Sequence, residues 1–599
     1  MLKQGIGLLV FCVSSQVFSA DIVVTTPDDI VKADNVCSLR EAIEYVNKGM
    51  PEAGYNGCGG KDVSENIILS NIEYKLNSQI TISKSLNLRT RYDSSPTENM
   101  LGRKNAVIKM TVQDRIFTID RSLIAQPAEE KDNLIKVSLS EITLNGCDAA
   151  VCKDQGGLIY NKEIFSMELG QLLNGKAREG GAIYNAGAYE KDKILSTVSI
   201  QKSLLQGNKA EQGGVIYSEI PQYSIAQSVI RDNEVSNSNA TLFYARDGFD
   251  EETSKSLGTF FGRGISNSTI FNNSGYIIRV MDGMTINNVT MVLNKMGLIL
   301  DAPFKQGVIA NSILAKNGAE DCKVINGGSA EKISNNLYSV GCEGQQSQAL
   351  GNANLIASSA AEGECDITSD GILCPFKQAE GVIMGYFRPR LLATYRTIVD
   401  SPIVNKGPAF RSGLLSCSGV VDQRGIVRST DPELCDRGAI ELKVDREASN
   451  NIGADIFYGQ TGKMSIADQL ADGELISPSQ CQVLFGDAPN NQTWQSGCMK
   501  IVQTNTSSKG TTQINQEGEV TYVPNGNWHG SDEFKILVVT TTTRFNDSSN
   551  PYIEIPTKVV QSPENSFKDY KVKTSGGSYG FGGLWVLLGL IALRRLKKQ

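Results

Sequence analysis

Histidine is all but missing from this chain: 599 residues hold one, His529. A Ser-His-Asp relay or an imidazole-ligated metal needs more than that. His529 lies beside Trp528 and Asp532 in a polar stretch, with no second histidine or cysteine nearby, and reads as a surface turn residue. No two cysteines stand in CxxC spacing, so the usual thiolate-metal signature is absent. Basic stripes are absent too: 58 Lys+Arg stand against 65 Asp+Glu, a net charge of −7, and no nucleic-acid partner is expected. Aromatic residues make up 7%, while 58 glycines and 40% hydrophobic residues suit a turn-rich β architecture better than disorder. No catalytic set, metal or cofactor is expected.

What is present is repetition. Four segments place an aliphatic residue two positions before asparagine: Ile265-Ser-Asn267, Ile286-Asn-Asn288, Ile309-Ala-Asn311 and Ile333-Ser-Asn335, at spacings of 21, 23 and 24 residues. A period in the low twenties is too short for a helix pair and suits one coil of a parallel β-solenoid. Asparagine tolerates the left-handed backbone of a turn, and its amide both donates and accepts, so stacked copies can form a ladder. A second series precedes it: GGLIYN from Gly156, GGAIYN from Gly180 and GGVIYS from Gly213. Leu205-Gln-Gly-Asn208 and Phe271-Asn272 end strands in the same style. A chain this long exceeds one compact core, and two folded units are expected.

The amino-terminal residues read as a cleavable secretion signal: Lys3, an apolar run from Ile6 to Val13, and cleavage expected after Ser19 or Ala20. Phe11 before Cys12 is too bulky for lipoprotein processing. Without Cys12, twelve cysteines fall into neighbours along the chain: Cys37 with Cys58, Cys147 with Cys152, Cys322 with Cys342, Cys365 with Cys374, Cys417 with Cys435, and Cys481 with Cys498. Local disulfides are the simplest reading for an exported chain, although the sequence leaves the pairing open.

Ser38 and Glu41 form a capping box, and Leu39, Ala42, Ile43 and Val46 follow at helical spacing, so a short helix is expected to cover the first coil. Asp422, Arg424 and Arg428 are the best charged constellation, read as buried or turn-stabilising ion pairs. After Leu442 the periodicity stops. GEVTYVPNGNWHGSDEFKILVVTT reads as two strands around a polar turn, one hairpin of a separate β-domain. Near the end, Gly576, Gly577 and Ser578 precede an apolar run containing Leu584, Trp585 and Leu593, then Arg594 and Arg595. Its 15 residues from Tyr579 to Leu593 would span only about 22 Å as a helix, short of a hydrocarbon core of about 30 Å, which points to a temporary anchor with its basic end cytoplasmic.

Several of these stretches resemble known families. Cys37-Ser-Leu-Arg-Glu-Ala42 matches the CSLREA motif of exported bacterial β-helix proteins letter for letter. The GG-x-I-Y series resembles the GGAI and FxxN repeats of polymorphic autotransporters. Ser401 to Gly407, Asp422 to Arg428 and Cys435 to Glu441 are similar to the closing segment of pectin-lyase-like proteins, although Arg437 stands where an aliphatic residue is expected. The tail closely resembles a GlyGly-CTERM sorting signal, which is processed by a rhomboid-family protease, rhombosortase. Together these features resemble the rhombotarget A family, which implies export and processing but no molecular activity.

The expected architecture is mainly β: a right-handed parallel β-helix of the pectin-lyase-like kind over 61–441 behind a signal peptide at 1–20 and a cap at 21–60. A β-sandwich-like domain over 442–557, a linker over 558–574 and a transmembrane sorting helix within 575–599 would follow. Expected partners are signal peptidase, the export machinery, the sorting protease during transient inner-membrane insertion, and a surface ligand, glycan or protein. The leading expectation is a noncatalytic adhesion or binding protein at the cell surface or in the medium. The alternative is a polysaccharide lyase or glycoside hydrolase, for which Arg388-Pro-Arg390 is the faint echo of a lyase base, without an aspartate cluster to match it.

Overall fold

Alternation of apolar and polar residues over strands too short to fold alone demands stacking, and the chain stacks on itself. A computed structural model describes residues 20–91, 105–123, 134–187, 189–190, 193–194, 196–237, 239–252, 263–326, 332–356, 371–375, 387–392, 395, 400–408, 415, 420–428, 435–442, 452–466, 500–503, 507–514, 519–539 and 553–563. The chain divides into two compact units, Met1–Lys443 with Glu474–Gln480 and Val444–Gly473 with Cys481–Gln599, as expected from its length.

The first unit is built from three long sheets of eleven, eleven and nine strands, parallel throughout. The chain visits them in rotation. Gly264–Ser266 lies in the first sheet, Thr269–Phe271 in the second and Tyr276–Val280 in the third, before Thr285–Asn287 returns to the first. This arrangement is consistent with a parallel β-helix. Its interior is layered by register: Ile22, Ile67, Leu88, Leu139, Met167, Ile200, Ile225, Ile265, Ile286, Ile309 and Ile333 sit one above another in the first sheet. All are buried, and each stabilises the stack by about 1.5–3 kcal/mol relative to exposure.

The corner after the first sheet is left-handed. Asn267, Asn288, Asn311 and Asn335 have φ of 44°, 51°, 53° and 55°, the conformation asparagine was expected to supply. In earlier coils Glu141, Leu169, Lys202 and Gln227 take the same position with φ of 46° to 58°, so the bend is a property of the fold that asparagine merely makes easier.

The cap helix α1 spans Leu39–Asn47 with the expected capping box. Disulfides join Cys37 to Cys58, Cys147 to Cys152 and Cys322 to Cys342. Cys374 and Cys435 are disulfide-bonded as well, whereas Cys365, Cys417, Cys481 and Cys498 lie outside the described residues.

Coils were expected to run to residue 441, and here the structure differs. Among the described residues the last strand of the three sheets is Gln348–Ala349, and the described parts of 401–442 lie along the outside of the stack. The reason is the chemistry of the outer faces: Val308, Ala310, Ile313 and Leu337 are apolar, and all are buried. Leu415 packs on Val308 and Ala310, and Gly438 approaches Ile313 and Thr290 so closely that a side chain there would clash.

The second unit has a four-stranded and a three-stranded sheet around one core that includes Ile456, Ile466, Val520, Tyr522, Phe534 and Ile555. The expected hairpin is absent. Glu519–Pro524 belongs to the three-stranded sheet and Gly530–Val539 to the other, so the polar turn is an arch between sheets. Tyr522 on one side of the arch donates to Asp532 on the other at 2.7 Å. The strand Ile553–Ser562 also overruns the residue 557 boundary, because its first-half partners Ile536 and Phe534 continue pairing down to Gly530.

Among the described residues no helix is long and apolar enough to cross a membrane. The expected span with Leu584, Trp585, Leu593, Arg594 and Arg595, and the processing residues Ser19, Gly576, Gly577 and Ser578, lie outside the described residues. Ala20 opens the first strand, its N–H bonded to the Asp62 carbonyl at 3.0 Å.

Candidate functional site

Each polar letter of the amino-terminal motif has a structural task. Ser38 accepts from the Glu41 N–H at 3.2 Å and donates to the Ile30 carbonyl at 2.7 Å. Glu41 is fully buried and takes the N–H groups of Ser38 and Lys32 at 3.0 and 2.7 Å. Arg40, half-buried, forks onto Asp29 at 2.6 and 2.9 Å and reaches the carbonyls of Ser78 and Gln79. It thereby pins the cap to the first coils. Neither residue is set for acid-base work.

The second corner holds a buried ladder that the Ile-x-Asn pattern did not reveal. The Asn208 amide donates to the Asn233 side-chain oxygen at 3.0 Å, Asn233 to Asn273 at 3.0 Å, Asn273 to Asn294 at 2.9 Å and Asn294 to Asn317 at 2.8 Å. Asn317 ends on Asp321 at 2.9 Å. Burial pushes the Asp321 carboxyl up, against the pull of the N–H groups of Val340, Asn317 and Ser339. The sequence signal is an aliphatic residue three positions ahead, as in Leu205 before Asn208 and Ile270 before Asn273.

The charged constellation is formed, with Asp422 and Arg428 buried and Arg424 partly exposed. Arg424 grips Asp422 at 2.6 and 2.9 Å, and Arg428 grips Glu441 at 2.9 Å. Arg428 also reaches Asn267 at 3.0 and 3.2 Å, while Arg437 reaches Asn335 at 3.0 Å. Asn311 donates to the Leu415 carbonyl at 3.2 Å, and Thr269 to Gln423 at 2.6 Å. Of the corner asparagines only Asn335 therefore stacks on its predecessor, donating to Asn311 at 3.0 Å, while Asn311 donates instead to the strand residue Asn287 at 2.8 Å; otherwise they receive the carboxy-terminal segment. Arg437, where an aliphatic residue was expected, spends its donors on Asn335, Gln348, Gln346 and Pro402, and burial pushes it down to about 10.

On the third sheet Tyr160, Tyr184, Tyr217 and Tyr244 lie in register with ring centroids 5.4, 5.0 and 4.9 Å apart, the first three stacked and Tyr244 tilted by 48° against Tyr217. Arg115 covers the free face of Tyr160 at 5.1 Å. Because the rings cover one another, the inner faces cannot serve as a platform for a sugar ring.

Arg388 and Arg390 are both buried, and Arg390 donates to the Gly371 carbonyl at 2.8 Å. Among the described residues no group of three or more His, Cys, Asp or Glu is placed to hold a metal ion. His529 is exposed in the arch. Comparison of the chain with family models, with curated proteins and with solved structures finds no match.

Proposed function

We propose that this chain is an exported, noncatalytic binding protein of the rhombotarget A kind, displayed at the bacterial surface or released from it. On this reading its first unit is a right-handed, pectin-lyase-like parallel β-helix, its second a β-sandwich stalk, and its tail a membrane handle cut near Gly576 and Gly577. What carries the noncatalytic reading is that Asp422, Arg428 and Glu441 are buried at 0%, 1% and 3% exposure and spent on holding the chain to itself. A carboxylate that works on a polymer must face it.

The test is incubation of the secreted protein with a panel of polysaccharides and cell surfaces. Retention on a surface or polymer without new reducing or unsaturated ends is the expected result; release of such ends would overturn the proposal in favour of a lyase or hydrolase. Intact-mass comparison of chains made with and without the rhomboid-type protease tests the tail, since an identical mass removes the sorting step.

A further inference from the structure

The described parts of 401–442 form a strap that crosses successive coils at one corner. Gln227 donates to the Asp422 carbonyl at 2.9 Å, Arg428 to Asn267, Ala439 to the Thr290 hydroxyl at 2.9 Å, and Gly438 to the Asn311 carbonyl at 2.8 Å. Arg437 meets Asn335 at the far end. Beneath it lie Val308, Ala310, Ile313 and Leu337, an apolar column that no water touches while the strap is seated.

Inside the strap the ionic pairing is uneven. Glu441 has Arg428, and Asp422 has Arg424. Asp436 is 1% exposed, and its two oxygens accept from the N–H groups of Asn405 at 2.8 Å and Leu442 at 2.6 Å. Among the described residues no cation forms an ion pair with it. The charged groups that act on it are Glu441 and Arg428, both from the strap itself, and the coil side presents the uncharged Asn288 amide, which reaches the Asp436 carbonyl at 3.4 Å. Arg437 turns away to Asn335 and Gln348.

A buried carboxylate with no ion-pair partner of its own, beside a second carboxylate, is a poor place for two negative charges. We propose that the strap is a pH-responsive latch, seated while the buried Asp436 carboxyl holds a proton and loosened when that proton leaves.

Burial first, and the neighbouring Glu441 charge second, push the Asp436 carboxyl well above the usual carboxylate range, against its two N–H bonds. The seated strap therefore binds the proton more tightly than the released one. The docking free energy is fully present below the ordinary carboxylate value and falls as pH rises through the raised one. Release uncovers the apolar column.

Hydrogen exchange on the full secreted chain, corrected for the intrinsic rate, tests this from about pH 4 upward, near the ordinary carboxylate value. Amides of 435–442 are expected to lose protection at least about tenfold more than strand amides of 196–245, one pKa unit's worth of coupling. Binding of a hydrophobic dye should rise in the same window. Equal pH dependence in strap and strands overturns the proposal. Asp436→Asn should flatten the strap's profile, and an unchanged profile in that variant also overturns it. If that variant does not fold, the unmodified chain's pH series alone decides.

Discussion

Arg428 and Asn267 stand 161 residues apart in sequence and are joined by two hydrogen bonds at 3.2 and 3.0 Å, with the Arg428 side chain fully enclosed. The same guanidinium holds Glu441 and the Gly438 carbonyl at 2.9 and 2.8 Å. One side chain thus fastens the strap both to itself and to the coils.

Arg428→Met should therefore be costly, because it leaves Glu441 buried without its cation. Breaking a buried pair from one side costs about 3–5 kcal/mol, and the loss should appear as cleavage of the strap by a protease at concentrations that spare the parent chain. Resistance equal to the parent's would show that the contact is dispensable.

Leu293 occupies the second corner with φ of 58°, in line with Asn174, Asp232 and Asn272, and is 46% exposed. A left-handed backbone costs an ordinary residue about 1–2 kcal/mol, while little packing is lost on removing this side chain. Leu293→Asn is expected to raise the stability of the first unit by about 1 kcal/mol, read from the denaturant midpoint at constant slope. A lowered midpoint would mean that Leu293 packs in a way its exposure conceals.

Tyr223 points its ring into the stack between Val198 and Phe243, and its hydroxyl is buried with no hydrogen-bond partner among the described residues. Such a group costs about 1–3 kcal/mol. Tyr223→Phe should stabilise the unit by about 1 kcal/mol in the same assay, and destabilisation would reveal an unseen partner.

In the second unit burial alone would raise Asp532. The Tyr522 hydroxyl, the N–H groups of Lys509 and Ser508, and the Ser508 hydroxyl outweigh it and hold the carboxyl below its usual range. A depressed folded value means stability that is present above the unfolded value, about 3.9, and lost as pH falls through the folded one. Acid should therefore open 519–539 before neutral conditions do, and Asp532→Asn should flatten that dependence. Hydrogen exchange across the segment reads both.

The parts legible in sequence were those whose cause is local. Asn267 and its three successors mark a corner because φ there is positive, and Ser38 with Glu41 marks a helix start because the caps are three residues apart. The ladder from Asn208 to Asn317 obeys an equally local rule but was obscured, because its rungs are 25, 40, 21 and 23 residues apart and the long gap holds an insertion. The strap could not be read at all. Its contacts with the coils join positions 72 to 195 residues apart, and a buried Asp422 looks in sequence like any turn aspartate. The arch at Asn525 to His529 failed for a related reason, since alternation identifies strands without saying which sheet receives them.

The strap also measures. Arg428 is fixed to Asn267 and Arg437 to Asn335, three coils further on, a rise of about 14 Å at about 4.8 Å per strand. Coils beyond its reach could be duplicated or lost without notice. Within it, adding or removing a single coil would put the two arginines out of step with their asparagines, so the strap acts as a ruler that fixes the length of this part of the rod.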